Sequence, residues 1–282
     1  MSLNPLERAV RSGVRMNDKI GALFAKLGTE AHPRGDVLSV YRTSRLALRS
    51  ALAEPNSLLA VSDVLRGMRR DLQREVSAIF TDGIALGNDE AKRQLDYYGT
   101  APGALTFLTE EAQASLDAVM ARFDSQSAAI RALILTDADV TQIVGDEERT
   151  GVISSGDFIG AAAYWATYLI WNAFDGAIRR NQAGLDFQKQ AVAAIDARTT
   201  DCCLRVHGQI RPFDMPFKLT GTPRFADEMD WPGFHWYCRT SAVLYLAGYD
   251  DGITGKMQDA AQFFLTERAA GRTPDRDPAN AF

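Results

Sequence analysis

Residues 195–214 read I-D-A-R-T-T-D-C-C-L-R-V-H-G-Q-I-R-P-F-D, and residues 231–241 read W-P-G-F-H-W-Y-C-R-T-S. Together these two segments hold all three cysteines and two of the three histidines of the 282-residue chain. Five such residues would not usually fall into two tight clusters in a chain of this length. We therefore expect the stretch from Asp196 to Ser241 to organise a small C-terminal module.

Short runs rich in apolar and β-branched residues lie beside this stretch and predict strands at 187–196, 209–213 and 241–246. The segment 214–232 has no clear periodicity and is expected to be a long loop. Helical periodicity is predicted again at 256–269. The expected fold class is α+β, with a mostly helical region at 1–184, a module with a short antiparallel sheet at 185–270, and an extended or disordered tail at 271–282.

Helical periodicity dominates the N-terminal half of the chain. Glycine, proline and small polar residues predict breaks at 32–35, 54–57, 81–83 and 99–103. The break at 81–83 would leave 88–98 as a short helix of its own. Further helices are expected to begin at 109 and 127, with another at 139–148.

Residues 155–180 are the most apolar segment, with no charged residue between Asp157 and Asp175. A membrane-spanning helix needs about 20 predominantly apolar residues, and this run is marginal in length and includes Gly160 and Asn172. We expect a helix buried by its neighbours, and no stable membrane insertion. A membrane-active protein is the alternative that this segment leaves open.

The charge of the chain is unevenly distributed. Residues 1–50 contain nine basic and four acidic residues, whereas the whole chain carries a formal net charge of -5. An acidic chain is not expected to bind nucleic acid over its whole surface. Basic residues fall at helical spacing in the first two helices, which predicts either a solvated helix face or a docking surface for DNA or for an acidic partner. These residues are Arg8, Arg11, Arg15, Lys19, Arg42, Arg45 and Arg49.

Cysteine and histidine spacing predicts a metal site. Three residues separate Cys203 from His207 and two separate His235 from Cys238, close to the ligand pairs of four-coordinate zinc, so zinc is the candidate cofactor. Cys202 is left out because adjacent residues of an extended chain point to opposite sides. Two alternatives stay open, a polar core without metal and a disulfide between Cys203 and Cys238.

The sequence contains no recognisable catalytic motif. A hydrolytic metal centre needs an open coordination position and a placed base. Neither H-E-x-x-H, a nucleophile elbow, nor a phosphate-binding glycine loop occurs. We therefore expect no enzymatic activity, with a metal-dependent hydrolase or nuclease centred on His207 and His235 as the alternative.

The two segments resemble the C-terminal signature of phage head morphogenesis proteins, the phage Mu F-like minor head protein family. Members typically show a strand ending in D-x-R-T, a cysteine before a glycine that opens a hairpin, a D-x-P-F/W turn, and H-P-x-C-R before a strand. The resemblance covers about residues 189–246. Thr200 and Thr240 stand where many members have cysteine. The matching positions are Asp196, Arg198, Thr199, Cys203, Gly208, Asp214, Pro216, Phe217, His235, Cys238 and Arg239.

The resemblance implies a minor structural protein of a tailed-phage head, near the portal vertex, which acts in head assembly or DNA delivery. In that setting, a membrane-active DNA-ejection protein that uses residues 155–180 is the alternative. A minor head protein is made in the host cytoplasm and resides in the virion. Its expected partners are the portal protein and other virion proteins. The basic N-terminal helices are the expected contact for the portal or for packaged DNA.

Overall fold

A computed structural model describes residues 3–28, 34–100, 103, 105–136, 143, 152–181 and 184–272. The chain divides into two compact units. Unit 1 contains Met1–Gly21, Ile84–Phe107 and Thr167–Phe282, and unit 2 contains Ala22–Gly83 and Leu108–Ala166. The C-terminal module therefore shares its compact unit with two segments from the N-terminal half.

Helices precede a small set of strands along the chain, which confirms the predicted α+β class. The helices are α1 (Pro5–Leu27), α2 (Asp36–Leu52), α3 (Ser57–Tyr97), α4 (Thr109–Leu135), α5 (Ser155–Asn181), α6 (Asp201–Val206) and α7 (Ile253–Ala269), with a 3-10 turn at Ala247–Tyr249. The strands are β1 (Gln188–Val192), β2 (Ile210–Pro212), β3 (Phe217–Lys218), β4 (Glu228–Met229) and β5 (Ser241–Tyr245).

The three predicted strands form one antiparallel sheet in the order β2-β1-β5. Gln190 of β1 lies opposite Ile210 of β2 and opposite Val243 of β5. All five residues of β5 are buried, as are four of the five in β1. Both faces of this small sheet are therefore covered.

Residues of β1 and the segment after it alternate between two clusters on the two faces of the sheet. Ala191 and Ala193 pack with Cys203 and Phe217, together with Cys202, Val206, Leu219, Phe234 and Cys238. Val192 packs on the other face with residues of α1 and α7, among them Leu6, Ala9, Val10, Ile253 and Met257. Burying one phenylalanine such as Phe217 contributes about 1.5–3 kcal/mol, so both clusters stabilise the unit substantially.

The expected loop at 214–232 contains the hairpin of β3 and β4, in which Phe217 lies opposite Met229. Lys189 of β1, which is fully buried, holds the two ends of this hairpin. Its ammonium donates to the carbonyls of Asp230 at 2.7 Å and Phe213 at 3.2 Å, and lies 4.6 Å from the centre of the Trp231 ring. Burial lowers the pKa of Lys189, and the two carbonyls and the ring compensate for the lost hydration.

Two predicted interruptions of helices are wrong, the break at 81–83 and the separate helix beginning at 127. α3 continues without interruption from Ser57 to Tyr97, and α4 joins the two helices expected from residues 109 and 127. The hydroxyl of Thr81 donates to the carbonyl of Ser77 within α3, so it is satisfied inside the helix. Gly83 lowers helix propensity by about 1 kcal/mol but leaves the backbone hydrogen bonds intact, unlike proline.

The buried helix predicted at 155–180 is confirmed as α5. Most of its apolar side chains are inaccessible, including Phe158, Trp171 and Phe174. In unit 1, α3 and α5 cross very closely at Gly87, where an added Cβ would lie 2.1 Å from the carbonyl oxygen of Ile170. Among the described residues, no helix combines the length and the hydrophobicity needed to cross a membrane.

Unit 2 is held by contacts between α2, α3, α4 and the start of α5. The rings of Tyr41 and Phe158 lie 5.6 Å apart, and the Tyr41 hydroxyl donates to Gln126. The guanidinium of Arg69 on α3 donates two hydrogen bonds to Asp124 on α4. The helix expected at 139–148, apart from residue 143, and the tail expected at 271–282, from residue 273 onward, lie outside the described residues.

Candidate functional site

The cysteine and histidine residues are positioned by a short helix and by the turn that precedes β5. Cys203 lies on α6, a helix that the sequence did not predict. The side chain of Thr200 caps this helix by accepting a hydrogen bond from the Cys203 backbone amide. His235 and Cys238 lie in a turn in which the Cys238 amide donates to the His235 carbonyl at 3.2 Å. Tyr237 has a φ of 58°, and this left-handed conformation brings Cys238 back toward α6.

The side chains of Cys203, His235 and Cys238 lie close together in unit 1. The Sγ atom of Cys203 lies 3.0 Å from Nε2 of His235 and 3.7 Å from Sγ of Cys238. All three donor atoms lie within 4.8 Å of one another. The cysteines are free thiols, and both are almost completely buried.

Hydrogen bonding fixes the tautomer of His235. Its Nδ1 lies 2.8 Å from the carbonyl oxygen of Trp236, which can only accept. Nδ1 therefore carries the proton, and in the neutral ring the lone pair is on Nε2. Because Nε2 faces Cys203, this histidine offers an acceptor or a metal ligand to the two thiols.

The thiols have opposite pKa shifts because they are close and buried. Hydrogen bonding with Cys202 and Cys238, together with burial, raises the pKa of Cys203 well above its usual value. Burial also raises the pKa of Cys238, but hydrogen bonding with Cys203 and the hydrogen bond and charge of a protonated His235 outweigh burial and hold this pKa well below its usual value. Cys238 is therefore the thiol that ionises first, with the negative charge stabilised by its two neighbours.

His207, predicted as the fourth ligand, is not part of this group. It follows α6, and its Nδ1 accepts a hydrogen bond from the Ala193 amide at 2.9 Å. Burial lowers the pKa of His207 to about 4, so the ring is neutral at pH 7. His207 and His235 consequently do not form the shared centre that a hydrolase using both residues requires.

The D-x-R-T segment forms a turn whose carboxylate binds the start of β5. Both carboxylate oxygens of Asp196 accept from Arg239 at 2.8 Å, and one also accepts from the Arg198 amide. The hydroxyl of Thr199 donates to the carbonyl of Ala194. Burial raises the pKa of Asp196, but the Arg239 hydrogen bond and charge outweigh it and lower the pKa overall. The turn thus fixes the residue that directly follows Cys238.

Replacing Asp196 by asparagine is expected to lower the free energy of unfolding at pH 7 by about 1–3 kcal/mol, because Arg239 loses a partly buried charged acceptor. Since the folded pKa of Asp196 is lowered, this stabilisation is present above pH 3.8 and is lost as the pH falls through the folded value. Urea denaturation at pH 7 and in acid measures both effects.

The matched control is Asp227→Asn, because the Asp227 carboxylate pairs with Arg224 at 2.7 Å and is 80% exposed. We expect a loss of at most about 1 kcal/mol for such a surface pair. Equal losses in the two variants at pH 7 would contradict a specific role for the Asp196 contact.

The basic residues of the first two helices have different environments. In α1, Arg8 donates to the Tyr97 carbonyl, Arg15 reaches the Tyr97 hydroxyl at 3.5 Å, and Arg11 pairs with Glu7. The two contacts with Tyr97 hold the end of α3 against α1, whereas the Arg11–Glu7 pair lies within α1. Arg45 of α2 is buried, unlike the solvated residue expected from its spacing. Four of these seven basic residues are exposed, and they are Arg15, Lys19, Arg42 and Arg49.

Two threonines near the three donor atoms were missed as site residues. Thr200 Oγ1 lies 2.9 Å from His235 Nε2, and Thr240 Oγ1 is buried without a hydrogen-bond partner among the described residues. Only their positions relative to the family signature distinguish them in the sequence.

Comparisons with protein-family models, curated proteins and solved structures found no match.

Proposed function

We propose that the chain is a non-enzymatic minor structural head protein of a tailed phage, associated with the portal vertex and acting in head assembly or DNA delivery. The observation that supports this proposal is the convergence of the signature residues. Asp196 contacts Arg239, Cys203 contacts His235 and Cys238, and these pairs are joined through α6 and the turn before β5. The signature therefore corresponds to one folded module.

Burial at the centre of the module favours a structural role over catalysis. Cys203, His235 and Cys238 are each at most 9% exposed, and their contacts connect segments more than 30 positions apart. A substrate would need access to these groups, whereas a cross-link between segments does not. No observation on the described residues favours the hydrolase that would use His207 with His235.

Contacts with the portal protein or with DNA require exposed groups outside this centre. In unit 1, the basic residues Arg15 and Lys19 of α1 are exposed. In unit 2, the basic residues Arg42 and Arg49 of α2 are exposed. Exposed basic side chains bind acidic protein surfaces and phosphates through screened charge interactions. We propose that these residues contribute to portal or DNA association, and that Arg45 does not contribute directly.

The proposal is tested by locating the chain in the assembled phage particle. We expect cryo-electron microscopy of purified particles to show the chain in few copies at the portal vertex, and we expect it to co-purify with the portal protein of the same phage. A chain that is spread evenly over the capsid, or that is missing from purified particles, would be incompatible with this function.

Charge reversal tests the contact surface separately. The double variant Arg15→Glu, Lys19→Glu should weaken portal co-purification or DNA binding roughly tenfold, since two surface charge contacts of about 0.7 kcal/mol each are lost. The control is Lys92→Glu, Lys256→Glu, which reverses two exposed lysines on other helices of unit 1. Equal weakening by both double variants would show a general charge effect rather than a specific surface.

A further inference from the structure

The two thiols are separated as they would be on a single tetrahedral metal ion. Sulfur ligands lie about 2.3 Å from zinc, so two thiolates on one tetrahedral zinc are about 3.8 Å apart. The Sγ atoms of Cys203 and Cys238 are 3.7 Å apart. A disulfide would require them at about 2.05 Å. The sulfur pair already has the spacing of one edge of a zinc tetrahedron.

The histidine completes a set of three soft donors. A tetrahedral zinc places sulfur and imidazole nitrogen about 3.5 Å apart, and the distance from Cys203 Sγ to His235 Nε2 is 3.0 Å. Zinc binding would therefore move these two atoms apart by about half an ångström, and all three donor atoms already lie within 4.8 Å of one another. The Nδ1 proton of His235 is already directed to the Trp236 carbonyl, the arrangement found around metal-bound histidines.

A small cavity borders two of the three donor residues, Cys203 and His235. Its volume is about 20 Å³, and its lining includes Thr200, Cys203, His235 and Thr240. This volume accommodates one water molecule. Thr240 is 1% exposed, and within the described part of the chain its hydroxyl has no hydrogen-bond partner. Thr200 Oγ1 also borders the cavity and lies 2.9 Å from His235 Nε2.

We propose that the chain binds one Zn²⁺ through Cys203 Sγ, His235 Nε2 and Cys238 Sγ, with a water molecule as the fourth ligand between the hydroxyls of Thr200 and Thr240. Two thiolates neutralise the charge of the ion, so the buried site carries no net charge. Sulfur and imidazole donors favour zinc over magnesium or calcium, which prefer oxygen. The ion joins α6 to the turn before β5 and closes the chain between residues 203 and 238.

Metal analysis of the purified full-length chain tests the proposal. We expect one equivalent of zinc in the native sequence after gel filtration, and at least a tenfold loss of affinity in Cys203→Ala, His235→Ala and Cys238→Ala. The matched controls are Cys202→Ala, which changes the adjacent cysteine of α6, and His207→Asn, which changes the other buried histidine. Both controls should retain the full equivalent.

Cobalt substitution of the native sequence provides a readout that does not depend on the folding of variants. Tetrahedral Co²⁺ bound by two thiolates should show strong visible bands and sulfur-to-cobalt charge transfer. Thr200→Cys would offer a third thiolate at the position proposed for the water ligand. Because the number of thiolate ligands rises from two to three, the charge-transfer absorbance should rise by about one half. An unchanged absorbance in this variant would overturn the assigned position of the fourth ligand.

The proposal is overturned if the folded native chain binds neither metal stoichiometrically, or if His235→Ala and Cys238→Ala bind as tightly as Cys202→Ala. Thiol titration distinguishes the disulfide alternative. Two fewer free thiols in the chain purified without reductant, with no bound zinc, would assign Cys203 and Cys238 to a disulfide instead. These measurements use the isolated protein, so their outcome is independent of where the chain lies in a particle.

Discussion

Replacing Gly87 by alanine is expected to lower the free energy of unfolding by about 3 kcal/mol. The new Cβ would lie 2.1 Å from the carbonyl oxygen of Ile170 and 3.0 Å from the Cβ of Ala173, so α3 and α5 would have to move apart in unit 1. A backbone oxygen inside a helix cannot rotate away as a flexible side chain can. The clash should therefore exceed the gain of about 1 kcal/mol that alanine brings to a helix interior.

Gly67 provides a control on the same helix. An added Cβ at Gly67 meets no atom within 4 Å, so Gly67→Ala should stabilise the chain by about 0.5–1 kcal/mol. Urea denaturation followed by circular dichroism measures both variants. If Gly87→Ala proved as stable as Gly67→Ala, the close crossing of α3 and α5 would be disproved.

Acidification from pH 6.5 to pH 4 is expected to remove about 3 kcal/mol of stability through His207 alone. Burial lowers the pKa of His207 from 6.5 to about 4. As the pH falls, the unfolded chain takes up a proton near 6.5, whereas the folded chain does so only near 4. Protonation consequently favours the unfolded state throughout this interval, and the loss is nearly complete at its lower end.

The variant His207→Asn isolates this effect. Its side-chain oxygen can replace Nδ1 as the acceptor for the Ala193 amide, and it does not titrate. Carboxylates and any bound metal titrate in both proteins, so the informative quantity is the difference between their unfolding free energies at each pH. We expect this difference to shrink by about 3 kcal/mol from pH 7 to pH 4, whereas parallel pH profiles would contradict a buried neutral His207.

The sheet was predictable because its signals are local. The strands at 188–192, 210–212 and 241–245 carry apolar residues at the expected places, and polar turns separate them. The helix α6 was not predictable from the sequence, because its six residues include two cysteines and an arginine and show no helical repeat. Its formation depends on the Thr200 cap and on burial of Cys202 and Cys203 in the cluster under the sheet. Tertiary contacts decide such a short helix, since a single turn is unstable in isolation.

The candidate site was partly predictable for a related reason. Cysteine is rare in this chain, so Cys203 and Cys238 were conspicuous, and of the two adjacent cysteines Cys203 is the one whose Sγ lies near His235 and Cys238. The argument for that choice assumed an extended chain, however, and α6 shows that this assumption was wrong. His207 was assigned from its spacing to Cys203, but spacing does not specify side-chain direction, and its ring instead binds the Ala193 amide.

The contact between α1 and β5 joins two segments that the ribosome synthesises far apart in time. The hydroxyl of Ser241 donates to the carbonyl of Gly13, 228 positions earlier, at 2.9 Å. At about 5–20 residues per second, a ribosome needs on the order of ten to forty-five seconds to add that length of chain. During this time the apolar face of α1 that includes Leu6 and Val10 has no β5 to cover it. This face of the nascent N-terminal helix therefore stays uncovered by β5 until the last part of the chain has been synthesised.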